Sequence, residues 1–179
     1  MVVSDGSSGL PAALAKHLPT AQQQRCVVHT IRGLSRHFCY RDLLTTDPTT
    51  QAPLTFEQAR RLRRGQLTTD AHAIFEAPSR AEAGERLAAV QATWGAVEPE
   101  VVRQLRQGIE SSFTFYQFAV ALHPLVRSTN LLERFFREFR TKSDEIGAFP
   151  NETSCLVVFH VIVTRDHAKH DRGNTAQTG

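Results

Sequence analysis

The stretch Ser128–Pro150, STNLLERFFREFRTKSDEIGAFP, decides how the chain is read. It follows Pro124, and its opening residues Ser128, Thr129 and Asn130 are all of the types that cap helix N-termini. Leu132, Phe135, Phe136 and Phe139 then recur at helical spacing, which predicts a helix with one face turned to a core. Glu133, Arg137 and Arg140 follow at i, i+4 and i+7, a neighbouring polar face with one carboxylate among cations. Gly147, Phe149 and Pro150 mark the end of the element. Two roles are open to Glu133. With Asn130 as N-cap it is a capping residue at the positive end of the helix dipole; otherwise it is an acid with chemistry to do.

Before this helix the pattern is mixed. Val2 to Ser4 reads as the end of a strand, Asp5 to Ser8 as a glycine-containing turn, and Leu10 to Leu18 as a short helix with Pro11 in its first turn. Cys26, Val27, Val28 and Ile31 suit a buried strand, with a helix continuing from Arg32 to Leu44. Thr45 to Pro53 is turn-rich and marks a boundary. Helical signals then dominate. Thr55 with Gln58 is a capping box ahead of an arginine-rich helix expected to stop at Gly65. Ser79 with Glu82 opens a second helix carrying Leu87, Val90 and Trp94, and Pro99 opens a third with Val101, Val102, Leu105 and Ile109. Phe115, Phe118, Ala119 and Leu122 predict a fourth face ending at Pro124. After Pro150, Thr153 to Val163 fits a buried strand or a closing helix, and the polar residues beyond Arg165 a frayed tail.

The bulk properties narrow the class. The chain has 179 residues, 41% of them apolar and 22% charged, a soluble composition with enough length for a core. A net charge of +3 and a pI near 9.0 are compatible with a polyanionic partner. Cys26, Cys39 and Cys155 lack disulfide-framework spacing, and MVVSDGSSGL has neither the basic nor the apolar region of a signal peptide. The longest apolar run, Cys155 to Val163, is broken by His160 and too short to span a bilayer. These features point to the cytoplasm and away from a membrane.

Several constellations carry candidate chemistry. Asp5, where a strand gives way to a turn, either bonds its own backbone as turn aspartates do or holds a divalent cation. Cys26, His29, His37 and Cys39 are ligand types for Zn²⁺, which would make the chain a small zinc-stabilised helical binding module; a buried cysteine with a hydrogen-bonded histidine is the other reading. Arg60, Arg61, Arg63 and Arg64 form either a solvated face or a phosphate-contacting patch. Trp94 packs its helix or stacks on an extruded base.

Taken in order, SDGSSGL, QRCVVH, a long helical segment, STNLLERFFREFR and GAFPNETS resemble the C-terminal half of Mutator-type bacterial insertion-sequence transposases, from about Val2 to about Arg172. The resemblance implies an α/β fold: a partial RNase H-like core lacking its first strands (1–44 and 124–165), an all-helical insertion (45–123) and a polar tail (166–179). It implies a DDE recombinase, in which two Mg²⁺ ions held by two Asp and one Glu serve DNA cleavage and strand transfer. The family's second Asp matches Asp5 and its Glu matches Glu133, so both are implied metal ligands and catalytic residues. Its C-x2-H signature matches Cys26 and His29, and Arg137 and Arg140 would contact DNA phosphates. The implied partners are insertion-sequence ends, target DNA and further copies of the chain. One departure stands out: only four residues precede Asp5, none acidic, where the family's first Asp would lie upstream. The expectation is therefore a truncated or decayed copy, or a product of an internal Met, marginally folded and inactive alone. Within the same ancestry, a non-catalytic remnant that binds DNA or an intact transposase is the alternative.

Overall fold

Two short parallel strands hold the N-terminal segment. The computed structural model describes residues 1–7 and 9–175. Strand β1 (Val2–Ser4) pairs in parallel with β2 (Gln23–Arg25), in the register Val2–Gln23, Val3–Gln24 and Ser4–Arg25. Helix α1 (Gly9–His17) makes the crossover that a parallel pair requires. Strand β2 is polar by sequence, yet Gln24 is wholly buried. Its amide is satisfied on both sides: Nε2 donates to the carbonyls of Ser112 (2.9 Å) and Arg25 (2.6 Å), and Oε1 accepts from the Phe115 N–H (2.8 Å). A buried amide bonded in this way ties strand to helical layer without the cost of an orphaned polar group.

The run from Cys26 is helical, not a strand. The Cys26 N–H completes the ladder to the Ser4 carbonyl (2.7 Å), and its own carbonyl accepts from the Thr30 N–H (2.9 Å), starting α2 (Val27–Leu34). Val27, Thr30, Ile31 and Leu34 are its buried residues, at i, i+3, i+4 and i+7. The helix ends ten residues before the expected limit at Leu44, and the segment after it is irregular, with Tyr40 and Asp42 at positive φ. The turn-rich boundary forms as expected: Asp47 Oδ1 accepts from the N–H groups of Thr49 and Thr50, and Thr46 bridges Pro53.

Helix α3 (Phe56–Phe75) begins at the Thr55–Gln58 capping box but runs through Gly65. A helical glycine costs about 1 kcal/mol against alanine. Burial of Leu67, Ala71, Ile74 and Phe75 beyond it outweighs that cost, since each buried apolar side chain contributes roughly 1.5–3 kcal/mol. Helix α4 (Arg80–Trp94) is capped by Ser79, whose hydroxyl accepts from the Glu82 N–H, and α5 (Pro99–Gln107) starts on its proline. Ile109 continues the α5 stripe from α6 (Ile109–Ser112). The single helix expected around Phe115 is replaced by two 3₁₀ turns and α7 (His123–Val126), inside which Pro124 lies. Phe113 and Phe115 are buried with Phe75, Leu67 and Leu105 in one apolar core.

At the centre of this layer is a buried ion pair. Glu98, fully buried, accepts from Arg63 Nη1 (3.3 Å), the Cys39 N–H (2.8 Å) and the Tyr40 N–H (3.1 Å). Arg63 also donates to the carbonyls of Arg41 (3.0 Å) and Asp42 (2.9 Å). One carboxylate thus joins α3, the N-terminus of α5 and the segment around Tyr40.

The chain divides into two compact units, Met1–Thr129 and Asn130–Gly179. The second contains α8 (Asn130–Ile146) and α9 (Glu152–Thr175), packed through Phe135 and Phe139 on Phe159. The closing-helix reading of Thr153–Val163 is the one realised. The expected burial of the α8 apolar face is not: no α8 residue is buried, and Leu132 and Phe136 are 57% and 47% exposed. One partner helix covers only part of a wide apolar stripe. The expected frayed tail is helical backbone as far as Thr175, and 176–179 lie outside the described residues. Among the described residues no helix is long and apolar enough to cross a membrane.

Removing either partner of the central pair strands a buried charge. Arg63→Ala or Glu98→Ala is expected to lower unfolding free energy in urea by about 3–5 kcal/mol. Arg61→Ala, on an exposed side chain of the same helix, is expected to change it by less than about 0.5 kcal/mol.

Candidate functional site

Asp5, Cys26 and His29 come together where the parallel strands end. Asp5 follows β1 and is exposed. Its Oδ1 accepts from the Ser7 N–H (3.0 Å), and Gly6 between them has φ +88, a conformation that glycine adopts without strain. The Ser7 backbone N–H, then the Ser7 hydroxyl, hold the Asp5 carboxyl below its usual 3.8; slight burial opposes this, and the charge of His29 adds to it. The turn role proposed for Asp5 is therefore realised with one oxygen.

Cys26 follows β2 directly and is completely buried. Its Sγ accepts from the Thr129 N–H (3.3 Å) and the Thr129 hydroxyl (3.4 Å). Burial by itself raises a thiol, but hydrogen bonds from the Thr129 hydroxyl and backbone, then from His29, outweigh it and hold Cys26 below the usual 9.0. His29 sits in the first turn of α2. The C-x2-H spacing thus places a thiol at a strand end and an imidazole one helical turn on. In open α/β sheets, the carboxyl ends of parallel strands are where ligands bind.

Glu133 lies in the first turn of α8, partly buried, with Arg137 and Arg140 exposed further along the helix. The helix begins at Asn130. Asp5 belongs to the first compact unit and Glu133 to the second.

The zinc set does not assemble. Cys39 is directed to the Val97 carbonyl (3.4 Å) and Glu98 Oε2 (3.3 Å), while Cys26 is engaged by Thr129. Among the described residues no three His, Cys, Asp or Glu side chains are gathered as a metal ion would require. Asp5 offers the hard carboxylate oxygen that Mg²⁺ prefers, so it fits as one ligand of such an ion rather than as a complete donor set.

The arginine cluster separates into different jobs. Arg63 is buried in the Glu98 pair and is removed from any DNA-contacting set. Arg60 stacks on the Tyr40 ring (4.5 Å) and pairs with Glu57 (3.3 Å), and Arg64 donates to the Tyr40 hydroxyl (2.6 Å). Arg61 and Arg64 remain exposed. Trp94 is 8% exposed and donates from Nε1 to Asp70 Oδ2 (2.8 Å), so its ring packs the helix and is not open for a base to stack on. Glu98 and Gln24 escaped the sequence reading because isolated polar residues carry no periodicity.

The family model for transposases of the Mutator family matches residues 1–49 and 52–173. The chain belongs to this family. It is 31% identical over 156 residues to the transposase for insertion sequence element IS406 of Burkholderia multivorans, covering 87% of this chain and 35% of that protein. It is 28% identical over 167 residues to the transposase for insertion sequence element ISRM5 of Rhizobium meliloti, covering 93% of this chain and 37% of that protein. A probable transposase for an insertion sequence element of Corynebacterium diphtheriae is 26% identical over 91% of this chain and 42% of its own length. This Mutator-family chain spans roughly a third of these relatives' length.

The Thr129 contact is testable by titration. In a Cys39→Ser, Cys155→Ser background, Thr129→Val is expected to raise the Cys26 pKa, followed by ultraviolet thiolate absorbance. A thiol lowered by folding stabilises the protein above 9.0, and that contribution is lost as pH falls through the folded value. Thr129→Val is expected to flatten this rise of stability with pH.

Proposed function

We propose that this chain acts in DNA transposition, as part of a metal-dependent centre that cleaves and joins insertion-sequence ends. Membership of a transposase family is the observation that carries this reading. Local geometry supports it: Asp5 stands ionised at the end of a parallel strand, beside Cys26 and His29. Cys26 also grips Thr129, the residue immediately before the helix of Glu133.

On this reading the strand pair and its crossover helix belong to an RNase H-like core, and the helices from Phe56 to Leu122 form an insertion. Asp5 and Glu133 are carboxylates for Mg²⁺, and Cys26 and His29 are the C-x2-H pair of the family. When bound, such ions stabilise the attacking and leaving oxygens of an in-line phosphoryl displacement. The chain's own part is electrostatic and positional. The Asx turn holds Asp5 by one oxygen and leaves the other for a ligand. The Cys26–Thr129 contact holds the entry to α8, and Arg137 and Arg140 offer positive charge along it to DNA phosphates. The partners are insertion-sequence ends and target DNA, with self-association of copies of the chain.

The test joins two assays on the purified chain and on a transposase carrying this segment. Strand transfer with Mg²⁺ or Mn²⁺ is expected to fall more than about 100-fold in Asp5→Ala and in Glu133→Gln, beyond the cost typical of outer-shell partners of a metal. Full strand transfer in either variant would sink the assignment. DNA binding without strand transfer in every preparation would point instead to a non-catalytic protein that binds DNA or a transposase.

A further inference from the structure

Arg25 is the residue on which β2 ends, paired in register with Ser4 and followed by Cys26. Its side chain runs under the Asp5 turn. A Cβ added at Gly6 would stand 2.5 Å from Arg25 Nε, and one added at Gly108 would collide with Arg25 Nη1. Gly108 is the residue joining α5 to α6. Two glycines from distant parts of the chain thus make room for one guanidinium. Their missing side chains let both backbones lie against it.

What this guanidinium lacks, among the described residues, is an acceptor. The other arginines of the first unit that are withdrawn from solvent each have one: Arg60 has Glu57, Arg63 has Glu98, Arg86 has Glu82 and the Ala73 carbonyl, and Arg127 has the Phe75 carbonyl. Arg25 Nε is buried without a hydrogen-bond partner, and among the described residues no carboxylate pairs with the side chain. Leaving a buried donor unmade costs about 1–3 kcal/mol, more for a charged group. A planar cation that is held in place but unbonded is suited to an anion arriving from outside. A guanidinium fork matches the paired oxygens of a phosphate.

We infer that Arg25 is a phosphate-binding residue for a nucleic-acid strand passing the Asp5 turn, its fork held by Gly6 and Gly108. The inference rests on the transposition reading and adds a residue to it. A strand phosphate on Arg25 would lie beside the carboxylate turn, so Arg25 would place the backbone next to Asp5. It would position substrate and take no part in bond making.

The experiment measures binding of a fluorescent single-stranded oligonucleotide and of the matching duplex to the purified chain across a salt series. Arg25→Gln is expected to weaken binding roughly tenfold or more. It should also reduce the slope of log affinity against log salt by about 0.7 for the single strand or 0.9 for the duplex, the value for one phosphate contact. A purely structural role for Arg25 would leave that slope unchanged and lower the thermal midpoint instead. If Arg25→Gln does not fold, Arg25→Lys, which keeps charge and stem, carries the test; it should lose affinity with both the slope and the thermal midpoint retained, whereas a structural role would lower the midpoint. Wild-type binding that either folded variant matches overturns the inference and leaves the transposition reading standing. Absence of DNA binding by the wild-type chain overturns the inference and leaves the transposition reading to the strand-transfer assay. Stabilisation of the wild type by inorganic phosphate, with DNA binding untouched in Arg25→Gln, would make Arg25 a free-anion site and overturn the inference as stated.

Discussion

The carboxylate of Glu98 is the constraint on which the first unit depends. It is fully buried, and burying an ion is tolerable only when its charge is matched and its lone pairs are used. Arg63 supplies the charge, and the N–H groups of Cys39 and Tyr40 use the remaining capacity. Because Glu98 immediately precedes α5, these contacts tie the start of that helix to α3 and the segment around Tyr40. At its other end Gly108 lies against Arg25, and Arg25 lies against the Gly6 turn that follows Asp5. A line of physical contact therefore runs from a buried ion pair in the helical layer to the exposed carboxylate at the strand end. Arg63 serves that line by charge and by two backbone carbonyls, which is why it does not behave like its surface neighbours Arg61 and Arg64.

The second organising contact is the thiol of Cys26. A cysteine at a buried strand end is a small hydrophobe in most settings. Here it accepts two hydrogen bonds from Thr129, and the next segment, 130–146, carries Glu133. The C-x2-H pair is thus better understood as structural support at the strand ends than as half of a zinc site. The contact engages Thr129, the last residue of the first unit.

How much was legible follows from the range of each interaction. Caps are local, so Thr55 with Gln58, Ser79 with Glu82, and Pro99 marked helix starts correctly from residues within one turn. The Asx turn at Asp5 was legible for the same reason. Gly65 misled because a glycine's local cost is small beside the burial of residues later in the same helix. Val27 to Ile31 misled because an apolar run of that length suits a strand or a helix equally, and the Cys26–Ser4 ladder bond settled it from outside the run. Phe135, Phe136 and Leu132 announced an apolar face, but spacing along a helix says nothing of how much surface a neighbour will cover.

By itself, then, the sequence determined the capped helix starts, the turn at Asp5 and the ordered motifs that mark the Mutator family. These depend on residues a few positions apart, where geometry is dictated by the backbone. Tertiary structure alone decided which polar residues are internal. Gln24, Arg63 and Glu98 are buried because partners far along the chain satisfy their polar groups, and no local pattern records such pairings. It also left Arg25 between two glycines with no acceptor among the described residues, a property that arises where β2, the Gly6 turn and the end of α5 meet.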